Sequence, residues 1–424
     1  MVLVRRITVI LVLLSLSFMV GDVWGVSNSE LQELRRELRT LKERVEELSQ
    51  TIERYEQELQ TVREQEPAAE TAATAGGISS TLTGISRKLN PAISVNGLFL
   101  GAAAENQRDD DDEQGLKVQE LEVRLSAFVD PVVKGDVTLA VEDGGEVELE
   151  EAYFDILGIP SVLLPEGASG GIEGVSLRLG KSFVPFGKHN PLHTHQFPLI
   201  DPPLANERIF GEEGLNEPLA LLNVSLPTPW FVELQGAVMD GDNEVLFDSP
   251  QTSDLAGIVR GHTLFDLSPD LTMELGSSFT WGKNADRLDS EVLGGDATLK
   301  WVRSLRKWPH TAVWTTEYLY NRRREVEDGR TDWVDQGGLY SGLQLQVHRN
   351  WWLQGRYDLF GIPRLADDER EWRGSFLVAL VPNEFSSVRL QYSFSDDDAL
   401  DDRDVHEVFL QFNYTFGSHP AHLY

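Results

Sequence analysis

The stretch Leu271-Thr272-Met273-Glu274-Leu275-Gly276-Ser277-Ser278-Phe279-Thr280-Trp281 sets Leu271, Met273, Leu275, Phe279 and Trp281 on one side and Thr272, Glu274, Ser278 and Thr280 on the other. A strand turns successive side chains to opposite faces, so this segment predicts one apolar face and one polar face. Residues 408–416 repeat the pattern, with Val408, Leu410, Phe412, Tyr414 and Phe416 against Phe409, Gln411, Asn413 and Thr415. Sixteen segments carry this rhythm, near 93–103, 116–130, 134–143, 146–157, 173–184, 217–226, 230–241, 255–267, 271–282, 292–303, 310–322, 336–348, 351–361, 370–382, 385–396 and 404–416.

The breaks between the segments alternate in length. After even-numbered strands they are mostly tight, as at Asp130-Pro131-Val132, Pro227-Thr228-Pro229, Ser268-Pro269-Asp270, His348-Arg349-Asn350 and Pro382-Asn383-Glu384. After odd-numbered strands they are mostly long and acidic, as at 105–115, 241–254, 282–291, 323–335, 361–369 and 396–403. The breaks at 158–172 and 143–145 depart from this rule. A soluble sandwich shares the alternation but has no reason to sort its loops by length, whereas an outer-membrane barrel has short periplasmic turns and long outer loops. The expected fold is therefore an all-β transmembrane barrel of about sixteen antiparallel strands over residues 92–424, with both chain ends on the periplasmic side.

Composition agrees. No long apolar run follows residue 20, and a helical span needs about 20 apolar residues. The mean hydropathy of -0.26 fits a barrel with a polar, hydrated interior. Trp230, Trp281, Trp301, Trp308, Trp351, Trp352 and Trp372 lie near strand ends, where interfacial aromatic girdles belong. The formal net charge of -32 argues against a nucleic-acid partner.

Residues 1–25 read as an export signal: Arg5 and Arg6 precede the apolar stretch Ile7 to Val20, and Val23-Trp24-Gly25 offers a cleavage site. A membrane anchor is the alternative. The absence of Cys suits an exported chain and excludes a lipoprotein anchor. Over 26–66, Leu31, Leu34, Leu38, Leu41, Val45, Leu48, Ile52, Tyr55, Leu59 and Val62 recur at intervals of three and four, which predicts a periplasmic α-helical coiled coil. The seam does not decide between two and three strands; the trimeric habit of porins favours three, held by the coiled coil and by barrel walls. A helix packed along its own barrel is the alternative. Residues 67–91, opening at Pro67 and rich in Ala, Thr and Gly, read as a flexible linker.

The third outer loop, 184–216, is the one long loop expected to be functional. It carries Lys188, His189, His193, His195, Asp201 and Arg208, and four Pro between 191 and 203 stiffen it. Lys181, Lys188 and Arg208 are candidates for an electrostatic filter facing Glu207, Glu212 and Glu213. His193 and His195 have two readings. They could share a cation with His189 or Asp201, or they could hydrogen-bond backbone carbonyls in a buried loop. No second cluster completes a closed site, so no metal and no cofactor are expected.

The pattern Gly180-Lys181-x-Phe183-x-Pro185-Phe186-Gly187, leading to Phe210-Gly211-x-Glu213-Gly214-Leu215, resembles the corresponding stretch of the phosphate-selective porin O and P family. The resemblance covers residues 92–416 and implies a trimeric diffusion pore narrowed by inward-folded loops. That family's phosphate porins line the channel with an Arg ladder and a Lys cluster, neither of which is evident here.

The strand register predicts inward positions for Arg124, Arg178, Lys181, Arg260, Lys300, Arg356, Arg373 and Arg389, and for Glu120, Glu122, Asp136, Glu233, Asp266, Glu274, Asp296, Glu317 and Asp358. The lumen is thus mixed in sign beneath acidic outer loops. These loops would favour cations at low ionic strength, or serve only to bridge lipopolysaccharide through divalent ions. The function expected is passive diffusion of small hydrophilic solutes or ions across the outer membrane, without catalysis. An outer-membrane hydrolase would need a nucleophile and base; His262 and Ser278 lie on neighbouring strands, but the sequence offers no obvious carboxylate or Asn partner for them. A TonB-dependent-type receptor needs 22 strands and a plug, more than this length supplies. A structural tether carried by the coiled coil is the remaining alternative.

Overall fold

The computed structural model describes residues 91–424 apart from 106–113, 131, 142–144, 146, 160–171, 305–308, 328–329, 364–369, 398–403 and 418–424. The export signal, the coiled coil, the linker up to residue 90, Trp308 and the tail after Gly417 lie outside the described residues. The strands are β1 (Ala92–Glu105), β2 (Gly115–Asp130), β3 (Val133–Val141), β4 (Val147–Ile159), β5 (Ile172–Phe183), β6 (Asn216–Ser225), β7 (Phe231–Met239) and β8 (Ala256–Ser268). They continue as β9 (Leu271–Lys283), β10 (Asp289–Ser304), β11 (Pro309–Glu327), β12 (Arg330–His348), β13 (Trp351–Phe360), β14 (Glu371–Asn383), β15 (Ser386–Asp397) and β16 (Asp404–Gly417).

Each strand pairs antiparallel with its sequence neighbours, and β1 pairs with β16 over Ser94↔Gly417 to Glu105↔His406, which closes the barrel. Closure leaves no unpaired sheet edge. The wall's polarity is inverted relative to a soluble sandwich. Outward, Phe99, Leu121, Phe154, Leu234, Leu275, Leu343, Phe376 and Phe412 are exposed; inward, Asn96, Thr138, Ser278, Thr280, Gln391, Gln411 and Thr415 are buried. No helix among the described residues is long and apolar enough to cross a membrane.

The short rim is built from side-chain-capped turns. Asp130 Oδ1 accepts the Val132 and Val133 amides at 2.8 and 2.9 Å, and Asn383 Oδ1 accepts the Phe385 amide at 2.9 Å. Such Asx contacts replace ladder bonds where the chain reverses.

Two expectations change. The break expected at 323–335 is a ladder instead: Arg323↔Val334, Arg324↔Trp333, Glu325↔Asp332 and Val326↔Thr331 extend β11 and β12 past the rim. Arg322 and Arg324 lie over the Trp333 ring at 4.5 and 5.7 Å, and these cation–π contacts tie the strands where charge alone suggested a loop. Trp352 leaves the girdle, because it faces inward against the Leu100, Ile200, Leu377, Ala379 and Phe409 cluster.

Candidate functional site

The segment between β5 and β6 holds a 3-10 turn (Thr194–Gln196) and a short helix, α1 (Leu204–Phe210). Asn190 ties its two ends together. Its Nδ2 donates to the Val184 and Leu215 carbonyls at 2.8 and 3.0 Å, and its Oδ1 accepts the Leu215 amide at 2.8 Å. Gly187 sits at φ 60°, and a Cβ there would lie 1.6 Å from Glu317 Oε1, so only Gly fits. That close approach lets the Gly187 amide donate to Ser278 Oγ at 3.1 Å. The Lys188 and His189 amides donate to Glu317 Oε2 at 3.3 and 3.2 Å, and Lys188 Nζ meets Glu274 at 2.6 Å.

His189 packs on Phe197, with ring centroids 4.4 Å apart, and edge-on to Tyr340. Burial disfavours its charged form and Arg356 adds repulsion, so its pKa falls to about 3 although Asp201 pulls the other way. His189 is therefore a neutral imidazole at physiological pH.

Three arginines on neighbouring strands grip the middle of the segment. Arg356 donates to the Asp201 carbonyl at 2.8 Å, to Asp201 Oδ2 at 3.1 Å and to the Pro202 carbonyl at 2.9 Å. Arg373 meets the same Oδ2 at 3.1 Å, and Arg389 donates to the Phe197 and Pro198 carbonyls. Gln391 adds a bond to Asp201 Oδ1 and accepts the Ile200 amide at 2.7 Å. Burial alone would raise the Asp201 pKa, but the two guanidiniums outweigh it and hold the carboxyl below its ordinary value. Pro198, Pro202 and Pro203 cannot donate, so their stretch exposes carbonyls with few local amide partners, and guanidiniums fill that need.

The C-terminal part is apolar. Leu204, Ala205, Ile209, Phe210 and Leu215 join Val184 and Phe186 in one buried cluster with Leu219, Met239, Phe247, Ile258, Val292 and Leu319. Phe186 and Phe210 meet edge to face at 5.1 Å. Asn243, in the β7–β8 connection, locks this end by donating to the Phe210 and Gly214 carbonyls at 2.9 and 3.1 Å.

The histidine pair lies against β2 and β4. His193 Nδ1 is 3.2 Å from Glu150 and 3.4 Å from Glu122, its Nε2 is 3.1 Å from Glu151, and His195 Nδ1 is 3.0 Å from Glu122. Burial works against charge on His193, but the bonds to Glu150 and Glu151 prevail and raise its pKa well above the ordinary imidazole value. A register shift between Thr138 and Leu139 leaves Glu150 as the extra residue of a β-bulge, so Glu150 and Glu151 both turn inward. The doublet Glu150-Glu151 in an alternating segment was the available signal.

Several expected roles change with these placements. His189 and Asp201 do not join His193 and His195, and carboxylates rather than backbone carbonyls face the pair. Lys181 pairs with Ala152 and with Pro218, on the same outward parity as Leu179, so it points away from the interior. A positive φ at Gly180 does not alter that parity. Arg208 pairs with Glu207 and Glu371, at 3.1 and 3.0 Å, while Glu212 and Glu213 are exposed and do not oppose it. Of the expected inward charges, Arg124 pairs with Asp136, Arg178 with Asp155 and Arg260 with Asp296, at 2.9, 2.8 and 2.7 Å. Lys300 stands opposite Thr272 and Val313 on the inward register, and Glu317 is fully buried.

A cavity of about 670 Å³ opens toward the short-turn rim, with His195, Phe197 and Pro198 at its inner end and Arg349, Asn350 and Phe385 among its outer walls.

No protein-family model matches the chain. An uncharacterized protein of Aquifex aeolicus (strain VF5) is 25% identical over 373 residues, covering 78% of this chain and 74% of that protein. Among solved structures, an anion-selective porin from Comamonas acidovorans aligns with a TM-score of 0.53 at 12% identity, covering 77% of this chain and 100% of that chain. The outer membrane channel DcaP of Acinetobacter baumannii aligns at 0.51 and 12% identity, covering 77% and 97%. A loop-deleted OmpT, an outer membrane protein of Vibrio cholerae, gives 0.51 and 9% identity, covering 78% and 100%. At these identities the likeness is one of fold.

Proposed function

We propose that this barrel is an outer-membrane porin through which small hydrophilic solutes or ions diffuse passively, with the β5–β6 loop as its constriction. The supporting observation is the inverted wall: an apolar exterior around an interior whose polar residues meet the loop on β2, β4, β9, β11 and β13 to β15. Lipid solvates the first surface and water the second. Lys188, His189, His193, His195, Asp201 and Arg208 are the constriction residues, Arg124, Arg178, Arg260, Glu274 and Lys300 are the charges of the passage, and Glu317 and Arg356, buried beneath the loop, act by holding it in place. Lys181, on the outward face, is left out.

The expected assembly is a homotrimer in the outer membrane, joined through barrel walls and a periplasmic coiled coil over 26–66. Whether the motif-level likeness to phosphate-selective porins extends to solute choice depends on free cations, and the loop already occupies Arg356, Arg373 and Arg389. Selectivity therefore rests on the acidic rim, which favours cations at low salt.

Single-channel recording in planar bilayers tests this directly. The purified protein should show discrete conductance steps, and Lys188→Glu, which sets a carboxylate beside Glu274, should raise cation preference in a salt gradient. A protein that inserts but never conducts would instead be a membrane anchor.

A further inference from the structure

We propose that His193, His195, Glu122 and Glu120 or Glu150 form a binding site for one divalent transition-metal ion of the zinc class, which staples the loop to the wall of β2 and β4. Two groups of donor atoms converge here, Glu120 with Glu122 and His195, and Glu122 with Glu150 and His193. Within each group all donor atoms lie within 4.8 Å of one another, and Glu122 belongs to both. Neither group holds both imidazoles, so one ion at about 2.0–2.2 Å requires the His193 and His195 side chains to close on Glu122, the carboxylate common to both.

The surroundings are those of a ligand site rather than of a solvated acidic patch. Glu120 is 4% exposed, and its Oε1 is shielded from solvent with no hydrogen-bond partner. Glu122 Oε2 is likewise shielded from solvent, with the Nδ1 atoms of His195 and His193 3.0 and 3.4 Å away. A buried carboxylate oxygen in that position is costly unless a cation meets it. Glu151 supplies the outer shell. It faces His193 Nε2 at 3.1 Å, so when an entering ion displaces the Nδ1 proton, an Nε2–H still donated to Glu151 leaves the Nδ1 lone pair to ligate that ion beside Glu122 and Glu150. A carboxylate behind a ligating imidazole fixes its tautomer and raises its basicity. Two imidazoles select zinc-class ions over calcium or magnesium, which prefer all-oxygen sets. The β4 bulge gives a structural reason for the aim, since without it Glu150 would face outward.

The test uses the full-length protein in detergent, with metal content measured after dialysis against a weak chelator and titrations with Zn²⁺ and Co²⁺. Wild type should retain one Zn²⁺ per chain, and its Co²⁺ form should show the strong visible bands of a tetrahedral site. Glu122→Gln and His195→Ala should lose the stoichiometric ion, and His262→Ala, altered elsewhere in the barrel, should keep it. Glu151→Gln should weaken binding by about 10- to 100-fold. Wild type that retains no ion, or that takes Ca²⁺ or Mg²⁺ as readily as Zn²⁺, overturns the proposal without reference to any variant. So does equal binding by folded Glu122→Gln. Metal content is independent of conductance, so failure here leaves the porin reading intact and failure there leaves the site intact.

Discussion

The two halves of the β5–β6 loop are held by different physics. From Leu204 to Leu215 the loop buries Ile209 and Phe210 among aliphatic and aromatic side chains of the wall and of the neighbouring loop. From His189 to Pro203 it is held by guanidiniums, amides and carboxylates. Apolar burial is insensitive to pH and non-directional, so the first half tolerates modest reshaping. The second half depends on paired charges in a shielded setting, where losing one partner strands the other. A loop with one half held by charge and the other by apolar burial can respond to its medium without leaving the wall.

The sharpest way to break this comparison is Asp201→Ala. It removes the carboxylate shared by Arg356 and Arg373, 4% and 9% exposed, and leaves Asp358, 2.7 and 3.9 Å away, as the one carboxylate near both buried guanidiniums among the described residues. Breaking a buried pair in this way costs about 3–5 kcal/mol. A large fall in the unfolding midpoint of the detergent-solubilised barrel, with larger single-channel conductance, is the expected outcome. An unchanged midpoint would mean that the arginines, not Asp201, find compensation elsewhere. Ile209→Ala, in the apolar half, should cost roughly 2–4 kcal/mol by leaving a cavity beside Phe210. Its cost should be the same at pH 5 and pH 7.5, and a pH-dependent loss would erase the distinction between the halves.

The sequence carries the wall far better than the loop's partners. Alternation such as Val408 to Phe416 is legible because lipid and water impose opposite demands on successive residues along a strand. The sixteen strands follow from that demand alone. Loop contacts obey no such period. Nothing local announces that Asp201 meets Arg356, 155 positions on, or that Glu317 receives the amides of Lys188 and His189. The β4 bulge shows the same limit on a smaller scale. One inserted residue turns Glu150 inward, and only the Glu150-Glu151 doublet marks it. The positive φ at Gly180 likewise leaves parity unchanged, yet the register that puts Lys181 outside depends on its partners Ala152 and Pro218. Charge composition misled at 323–335, where Arg–Trp stacking lets a charged ribbon pair.

The smallest expected effect is the most discriminating one. His189 is neutral in the docked loop because burial and Arg356 depress its pKa to about 3, whereas a released loop would titrate it near the ordinary value of about 6.5. The released state thus binds the extra proton between those limits, so docking weakens as pH falls through that window and is fully restored above it. Asp201 has the same sign at lower pH. Its depressed pKa adds stability above the ordinary carboxyl range of about 4, and that contribution is lost only as pH drops through the folded value. Replacing His189 by Phe keeps the ring contacts with Phe197 and Tyr340 and discards an Nε2 that has no hydrogen-bond partner. Amide exchange of the loop, followed from pH 7.5 down to pH 4.5 with the intrinsic rate divided out, should show accelerating opening in wild type and a flatter profile in His189→Phe. Should both profiles coincide, His189 is not the group that makes the polar half sensitive to mild acid.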